Sequence, residues 1–188
     1  MRFLGAFGVV ILLIIAFPHF RFFVKRLICK RKIKKLCQKK GYRLHALHLF
    51  WFFKNRNSPR CDFYIETPNE VFAVKMFGIT KRRCELVFTE NGKYFIRSFM
   101  AFISYGSGIR YSFDSKAKPL PDYNFRYNYK EEWEIKTPRR ILLVNPVPME
   151  FRRQPQHGSE VIVGAGEIVN GMEIDSLPRL LGDLESAL

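Results

Sequence analysis

The chain has 188 residues, 47% of them apolar and 15% aromatic, enough for one packed domain of ordinary size and too apolar for wholesale disorder. Its formal net charge of +15 is not spread evenly: residues 1–61 hold 15 Lys and Arg and no Asp or Glu, while residues 62–188 balance 17 basic against 17 acidic side chains. That asymmetry points to a polyanionic partner for the N-terminal third, a membrane surface or nucleic acid, and excludes a uniformly basic surface. Cys29, Cys37, Cys61 and Cys84 have neither CxxC nor metal-type spacing, which argues against a zinc knuckle or a disulfide framework and for free thiols in a reducing compartment.

From Phe3 to Phe17 the sequence "FLGAFGVVILLIIAF" is unbroken apolar, and the run extends through Pro18, His19 and Arg21 to Val24. As a helix these 22 residues would span roughly 33 Å, enough for the hydrocarbon core of a bilayer. The run ends in Ala16-Phe17-Pro18-His19-Phe20 without the small-residue pattern of a signal-peptidase site, so a retained anchor is expected over 1–24. Arg2 is the one basic residue before the run and many follow it, so the positive-inside rule predicts a single-pass protein of the cell membrane with its C-terminal bulk in the cytoplasm.

Residues 25–41 read as a basic juxtamembrane helix. Cys29, Ile33, Leu36 and Cys37 recur at helical spacing, Gly41 occupies a C-cap position, and Lys and Arg fill the rest. Lys25, Arg26, Lys30, Arg31, Lys32, Lys34, Lys35, Lys39 and Lys40 are the candidate contacts for anionic lipid headgroups; a nucleic-acid backbone is the less favoured polyanion. The same residues would serve equally as an ordinary stop-transfer flank leading into a first domain helix.

The remainder, 42–188, reads as a cytoplasmic α+β domain. Tyr42 to Lys54 is too apolar on both faces for an exposed strand and is expected to be buried. Cys61–Thr67 and Val71–Phe77 form a hairpin turning at Thr67-Pro68-Asn69-Glu70, and a second hairpin, "RRCELVF" to "KYFIRSF", turns at Asn91-Gly92. Tyr105 to Lys136 shows no sustained period and is expected to be a long loop. Arg140 to Asn145 is another buried strand, Met149–Arg153 pairs with Glu160–Val163, and Ser176 caps a closing helix with Leu180, Leu181, Leu184 and Leu188 on one stripe. The expected architecture is a mixed or antiparallel sheet with β-hairpins, an N-terminal basic helix and a C-terminal helix.

A helix ending in "KKGYRL", a buried strand, an Asp-bearing strand and a strand ending in "FAVK" together resemble the restriction-endonuclease-like core, the PD-(D/E)xK superfamily that includes nuclease-related NERD domains. The similarity covers roughly residues 22–77 and, more loosely, 139–188. The resemblance implies that Asp62 stands where the first metal-binding acid belongs and Lys75 where the lysine that orients the attacking water belongs. Where the superfamily has Glu, Asp or Gln two residues before that lysine, this chain has Ala73, which offers Mg²⁺ no oxygen. Glu66 shares the strand face of Asp62 but lies about 13–14 Å along it, too far for both carboxylates to grip one ion.

Other chemistry is thinner. His45 and His48 fall on opposite faces of one strand, and Gly106-Ser107-Gly108 and Gly164-Ala165-Gly166 read as turns rather than phosphate loops. Tyr123, Tyr127, Tyr129 and Trp133 interleave with Arg126 and Lys130, a nucleobase-stacking pattern diluted by Asp122, Glu131, Glu132 and Glu134. Two function classes stay open. The favoured one is a membrane-anchored module that binds or scaffolds without catalysis, needs no cofactor and has an unknown protein partner. The other is a membrane-tethered, Mg²⁺-dependent nuclease or DNA-binding relative using Asp62, Glu66 and Lys75.

Overall fold

The computed structural model describes residues 24–46, 61–79, 83–104, 107–120 and 138–187. The expected membrane anchor lies almost entirely outside them, and among the described residues no helix is long and apolar enough to cross a membrane.

The first helix among the described residues, α1, covers residues 24–40. It buries the predicted stripe of Cys29, Ile33, Leu36 and Cys37. It stops at Gly41, whose φ of 72° is the left-handed conformation that ends helices without a Cβ penalty. Tyr42 N–H then donates to Cys37 O at 2.9 Å, the six-to-one bond of a Schellman motif.

Among the described residues two six-stranded mixed sheets follow. The first runs β1 (Arg43–Ala46), β2 (Phe63–Glu66), β3 (Val71–Phe77), β8 (Arg139–Val144), β12 (Met172–Asp175) and β11 (Ile168–Val169). Its centre is parallel, β3 with β8 and β8 with β12, and its flanks are antiparallel hairpins. The second runs β10 (Val161–Val163), β9 (Glu150–Gln154), β4 (Cys84–Thr89), β5 (Lys93–Ser104) and β6 (Ser107–Asp114), with β7 (Lys118–Pro119) also on β5. Parallel strands cannot be joined by a tight turn, so each crossover needs a longer connection. Here both crossovers contribute strands to the second sheet: β4–β7 lie between β3 and β8, and β9–β10 between β8 and β12.

The closing helix, α2 (Leu177–Ser186), completes three layers. Cys29, Ile33 and Cys37 of α1 and Leu180 and Leu184 of α2 pack on Phe63, Phe72, Val74, Ile141 and Leu143, one face of the first sheet. The other face, with Ala73, Phe77, Leu142, Val144 and Ile174, meets Leu86, Phe88, Phe151 and Val163 of the second sheet. Strands covered on both faces read as continuous apolar runs, which is why "VFAVKMF" and "ILLV" are buried throughout.

Both predicted hairpins have the expected partners, with Phe63 opposite Val74 and Phe88 opposite Tyr94. Thr67 closes the first turn by accepting the Glu70 N–H on Oγ1 at 3.1 Å. Of the strand expected over Tyr42–Lys54, Arg43–Ala46 forms β1 at the sheet edge with Arg43 exposed; residues 47–54 lie outside the described residues. The long loop expected from Tyr105 is corrected: residues 107–114 pair with β5 as β6, and the period-two order Ile109, Tyr111, Phe113 against Arg110, Ser112, Asp114 is the strand signal. Ser176 does sit at the N-cap of α2 with extended backbone, but its hydroxyl makes no cap bond.

A buried Arg–Asp–Lys cluster at the candidate functional site

Asp62 immediately precedes β2, and its own N–H donates to Val74 O at 2.8 Å, extending the β2–β3 ladder by one rung. Its carboxylate is fully buried. Oδ2 accepts the Met76 N–H at 2.8 Å, Oδ1 accepts Arg26 Nη2 from α1, and Lys75 Nζ stands 3.9 Å from Oδ2. Asp62 and Lys75 are 0% exposed and Arg26 is 2% exposed, so all three charges are withdrawn from water. Desolvation of that degree is affordable only where each charge has a partner.

Among the described residues the cluster sets two cations, Arg26 and Lys75, against the one carboxylate of Asp62. Burial, reinforced by the nearby Arg26, pushes the Lys75 ammonium down to about 8 against the pull of Asp62. Burial and the Asp62 charge push the neighbouring Cys61 thiol up to about 12, which keeps it protonated and unreactive at neutral pH.

Asp62 and Lys75 thus meet across the first hairpin. Glu66 is elsewhere: it ends β2 at the opposite end of the ladder, half-buried, 3.9 Å from Arg43 Nη1. Ala73 puts its methyl into the core between the sheets and supplies no ligand. Arg26, counted among the lipid contacts, is the buried ion partner of Asp62. A signal for this existed, because Arg26 lies three residues before Cys29 and so continues the apolar stripe. The other candidate cations of α1 divide by exposure. Arg31, Lys32, Lys34, Lys35 and Lys39 are exposed and Lys25, Lys30 and Lys40 are half-buried, with Lys40 Nζ donating to Glu185 O at 2.8 Å. His45 is half-buried on β1, and His48 and the aromatic segment 123–133 lie outside the described residues.

Sequence reasoning did not find two arginine-centred networks. On the outer face of the second sheet, Arg97 binds Glu160 through Nη1 and Nη2, both at 2.7 Å, and Asp114 through Nε at 2.8 Å. On the helix side of the first sheet, Arg139 holds Glu173 with Nη2 at 2.6 Å and Asp183 at 2.7 Å, and its guanidinium lies over the Phe72 ring. Beside it Asp175 is fully buried, and burial pushes its carboxyl up to about 6. The signal for this cluster was the alternation Met172-Glu173-Ile174-Asp175, which puts two acids on one strand face.

No protein-family model matches the chain, and neither a curated protein nor a solved structure is significantly similar to it.

Proposed function

We propose that this is a single-pass membrane-anchored module whose cytoplasmic α+β domain binds or scaffolds without catalysis, derived from a restriction-endonuclease-like core that has lost its metal centre. The observation that carries the reading is the state of Asp62. Its two oxygens are engaged by Arg26 and the Met76 N–H, and it is buried. The position two residues before Lys75 is an alanine packed in the core. A hard divalent ion needs several oxygens with lone pairs to spare and room for water. At Asp62 both oxygens are engaged, and among the described residues no second carboxylate stands beside them, so the position offers neither.

The order of elements supports the resemblance: a helix, an antiparallel run β1–β2–β3 carrying Asp62 and Lys75, and a parallel strand β8 beside β3. The exposed row Arg31, Lys32, Lys34, Lys35 and Lys39 supports a headgroup-facing role for α1, each such side chain being worth about 1 kcal/mol near an anionic leaflet. The deciding experiment incubates the detergent-solubilised full chain with single- and double-stranded DNA and RNA in Mg²⁺ or Mn²⁺. No cleavage is expected. Metal-dependent cleavage abolished by both Asp62→Asn and Lys75→Ala would replace this reading with the tethered nuclease.

A further inference from the structure

We propose that Glu173, Asp175 and Asp183 form a binding site for one hard divalent cation, a site separate from Asp62 that ties the end of β12 to α2. One carboxylate oxygen from each of the three lies within 4.8 Å of the other two, a spacing at which a single ion can be held by all of them. The ligand set is all oxygen, with no imidazole or thiolate among the three, which selects Mg²⁺, Ca²⁺ or Mn²⁺ over zinc.

The acids alone would not make a site, since Arg139 already neutralises part of their charge. The second observation is Asp175. It is 0% exposed, and while its Oδ1 accepts the Ser176 N–H at 2.6 Å, its Oδ2 is buried with no hydrogen-bond partner among the described residues. A buried carboxylate oxygen without a partner is costly, and a cation is the ligand that satisfies it most strongly.

The neighbouring cations do not fill that role. Arg139 commits its guanidinium to both oxygens of Glu173, through Nε and Nη2, and to Asp183 Oδ2, so Glu173 can offer an ion only a lone pair of an oxygen Arg139 already bonds. Arg179 stands 3.8 Å from Asp175 Oδ1 and 3.9 Å from Glu173 Oε1, beyond hydrogen-bond distance, and donates instead to Ala165 O. Three carboxylates against two guanidiniums leave one negative charge. Arg179 is 44% exposed and can swing into solvent as an ion enters past Asp183, which is itself 25% exposed. The remaining coordination positions would be taken by water, so affinity should be modest, with a Kd of about 10⁻⁴–10⁻³ M.

Mn²⁺ titration of the detergent-solubilised full chain, followed by electron paramagnetic resonance of the free ion, tests this directly. One saturable Mn²⁺ is expected. Asp175→Asn and Asp183→Asn should each weaken it at least about 10-fold, and Asp62→Asn should leave it unchanged. Competition with Mg²⁺ and Ca²⁺ identifies which ion the site prefers. Mn²⁺ should also raise the melting temperature of the wild type and of neither Asp175→Asn nor Asp183→Asn. Asp175→Asn is isosteric and removes a buried charge, so it should fold; Asp183→Asn, at a partly exposed position, is an independent check. Absence of saturable Mn²⁺ binding at millimolar concentration overturns the proposal. So does binding that survives Asp175→Asn, or binding lost in Asp62→Asn while the circular dichroism spectrum stays that of the wild type, which would also locate the metal at the nuclease-like position.

Discussion

Lys75→Met removes the ammonium from the buried cluster and leaves a side chain of similar length and volume. Asp62 keeps its two closest partners in the variant, Arg26 and the Met76 N–H, because Lys75 Nζ stands farther off at 3.9 Å. The Lys75 pKa falls from 10.5 in the unfolded chain to about 8 in the folded one, a difference worth about 3 kcal/mol. The sign follows from linkage. Below pH 8 both states hold the proton and the folded state bears the full cost of the buried charge. Between about 8 and 10.5 the folded protein releases its proton while the unfolded chain keeps it, so the cost fades as pH rises. Lys75→Met should therefore be more stable than wild type by about 3 kcal/mol at pH 7, and the gap should close toward pH 10.5.

Urea unfolding of the full chain in mild detergent, read by far-ultraviolet circular dichroism at a series of pH values, measures that gap. With a typical urea slope, the midpoint shift at pH 7 is roughly 1–3 M. Ionisation of the Cys61 thiol, whose folded pKa is pushed up to about 12, lowers the alkaline stability of both proteins and largely cancels in the difference. A variant less stable than wild type at pH 7, or a stability gap that does not change with pH, would refute the reasoning. The first result would mean that Lys75 is the main support of Asp62, the second that burial does not hold its ammonium below the ordinary lysine range.

Asp62→Ala should behave oppositely, costing about 3–5 kcal/mol at pH 7, because it strands Arg26 and Lys75 in the core without their carboxylate; the same urea series reads it. Deleting residues 1–20 should move the protein from the carbonate-resistant membrane fraction to the supernatant, whereas a full chain that is already soluble would remove the anchor from the proposal. Cys61 and Cys84, both buried, should react with a membrane-impermeant maleimide only after cells are opened and the protein is denatured; labelling in intact cells would put the domain outside. Charge reversal of Arg31, Lys32, Lys34 and Lys35 should abolish binding to phosphatidylserine vesicles and preserve the circular dichroism spectrum, because all four are exposed. The wild-type binding should weaken steeply as the Debye length falls from about 10 Å at 0.1 M salt to about 3 Å at 1 M, and vesicle binding indifferent to lipid charge would refute the headgroup role.

The parts of the fold legible in the sequence were those with a local cause. The α1 stripe, Gly41, the Thr67–Glu70 and Asn91-Gly92 turns and the apolar run of β8 each follow from spacing or from backbone preference. The β11–β12 hairpin had a local cause as well and was overlooked. Asn170 (φ 50°) and Gly171 (φ 74°) join Val169 to Met172 in a two-residue turn with both central residues left-handed, the signature that Asn-Gly favours. The second sheet was not legible, because it is assembled from two separate crossovers. The parallel pairing of β4 with β9 joins Glu85–Thr89 to Glu150–Gln154 across a sequence gap that no local period reports. The ion partners were hidden for the same reason: Arg26 meets Asp62, and Arg139 meets Asp183, only through long-range packing.

That second sheet also gives a physical reason why an Asp–Lys pair can persist without a reaction. By strand alternation Lys75 shares its face of β3 with Ala73 and Phe77, and these pack in the core that Leu86, Phe88 and Phe151 of the second sheet complete. A nuclease must bring a phosphodiester to the lysine and the metal, so that face has to be open. Here it is covered by strands inserted between β3 and β8 and between β8 and β12, and a charged lysine beneath them needs an anion to be tolerated at all. Asp62 supplies it, and Arg26 then links the same carboxylate to α1, so one acid joins the helix to β2 and β3. On this account Asp62 is the tie between three elements, and its loss should be felt in stability before it is felt in any activity.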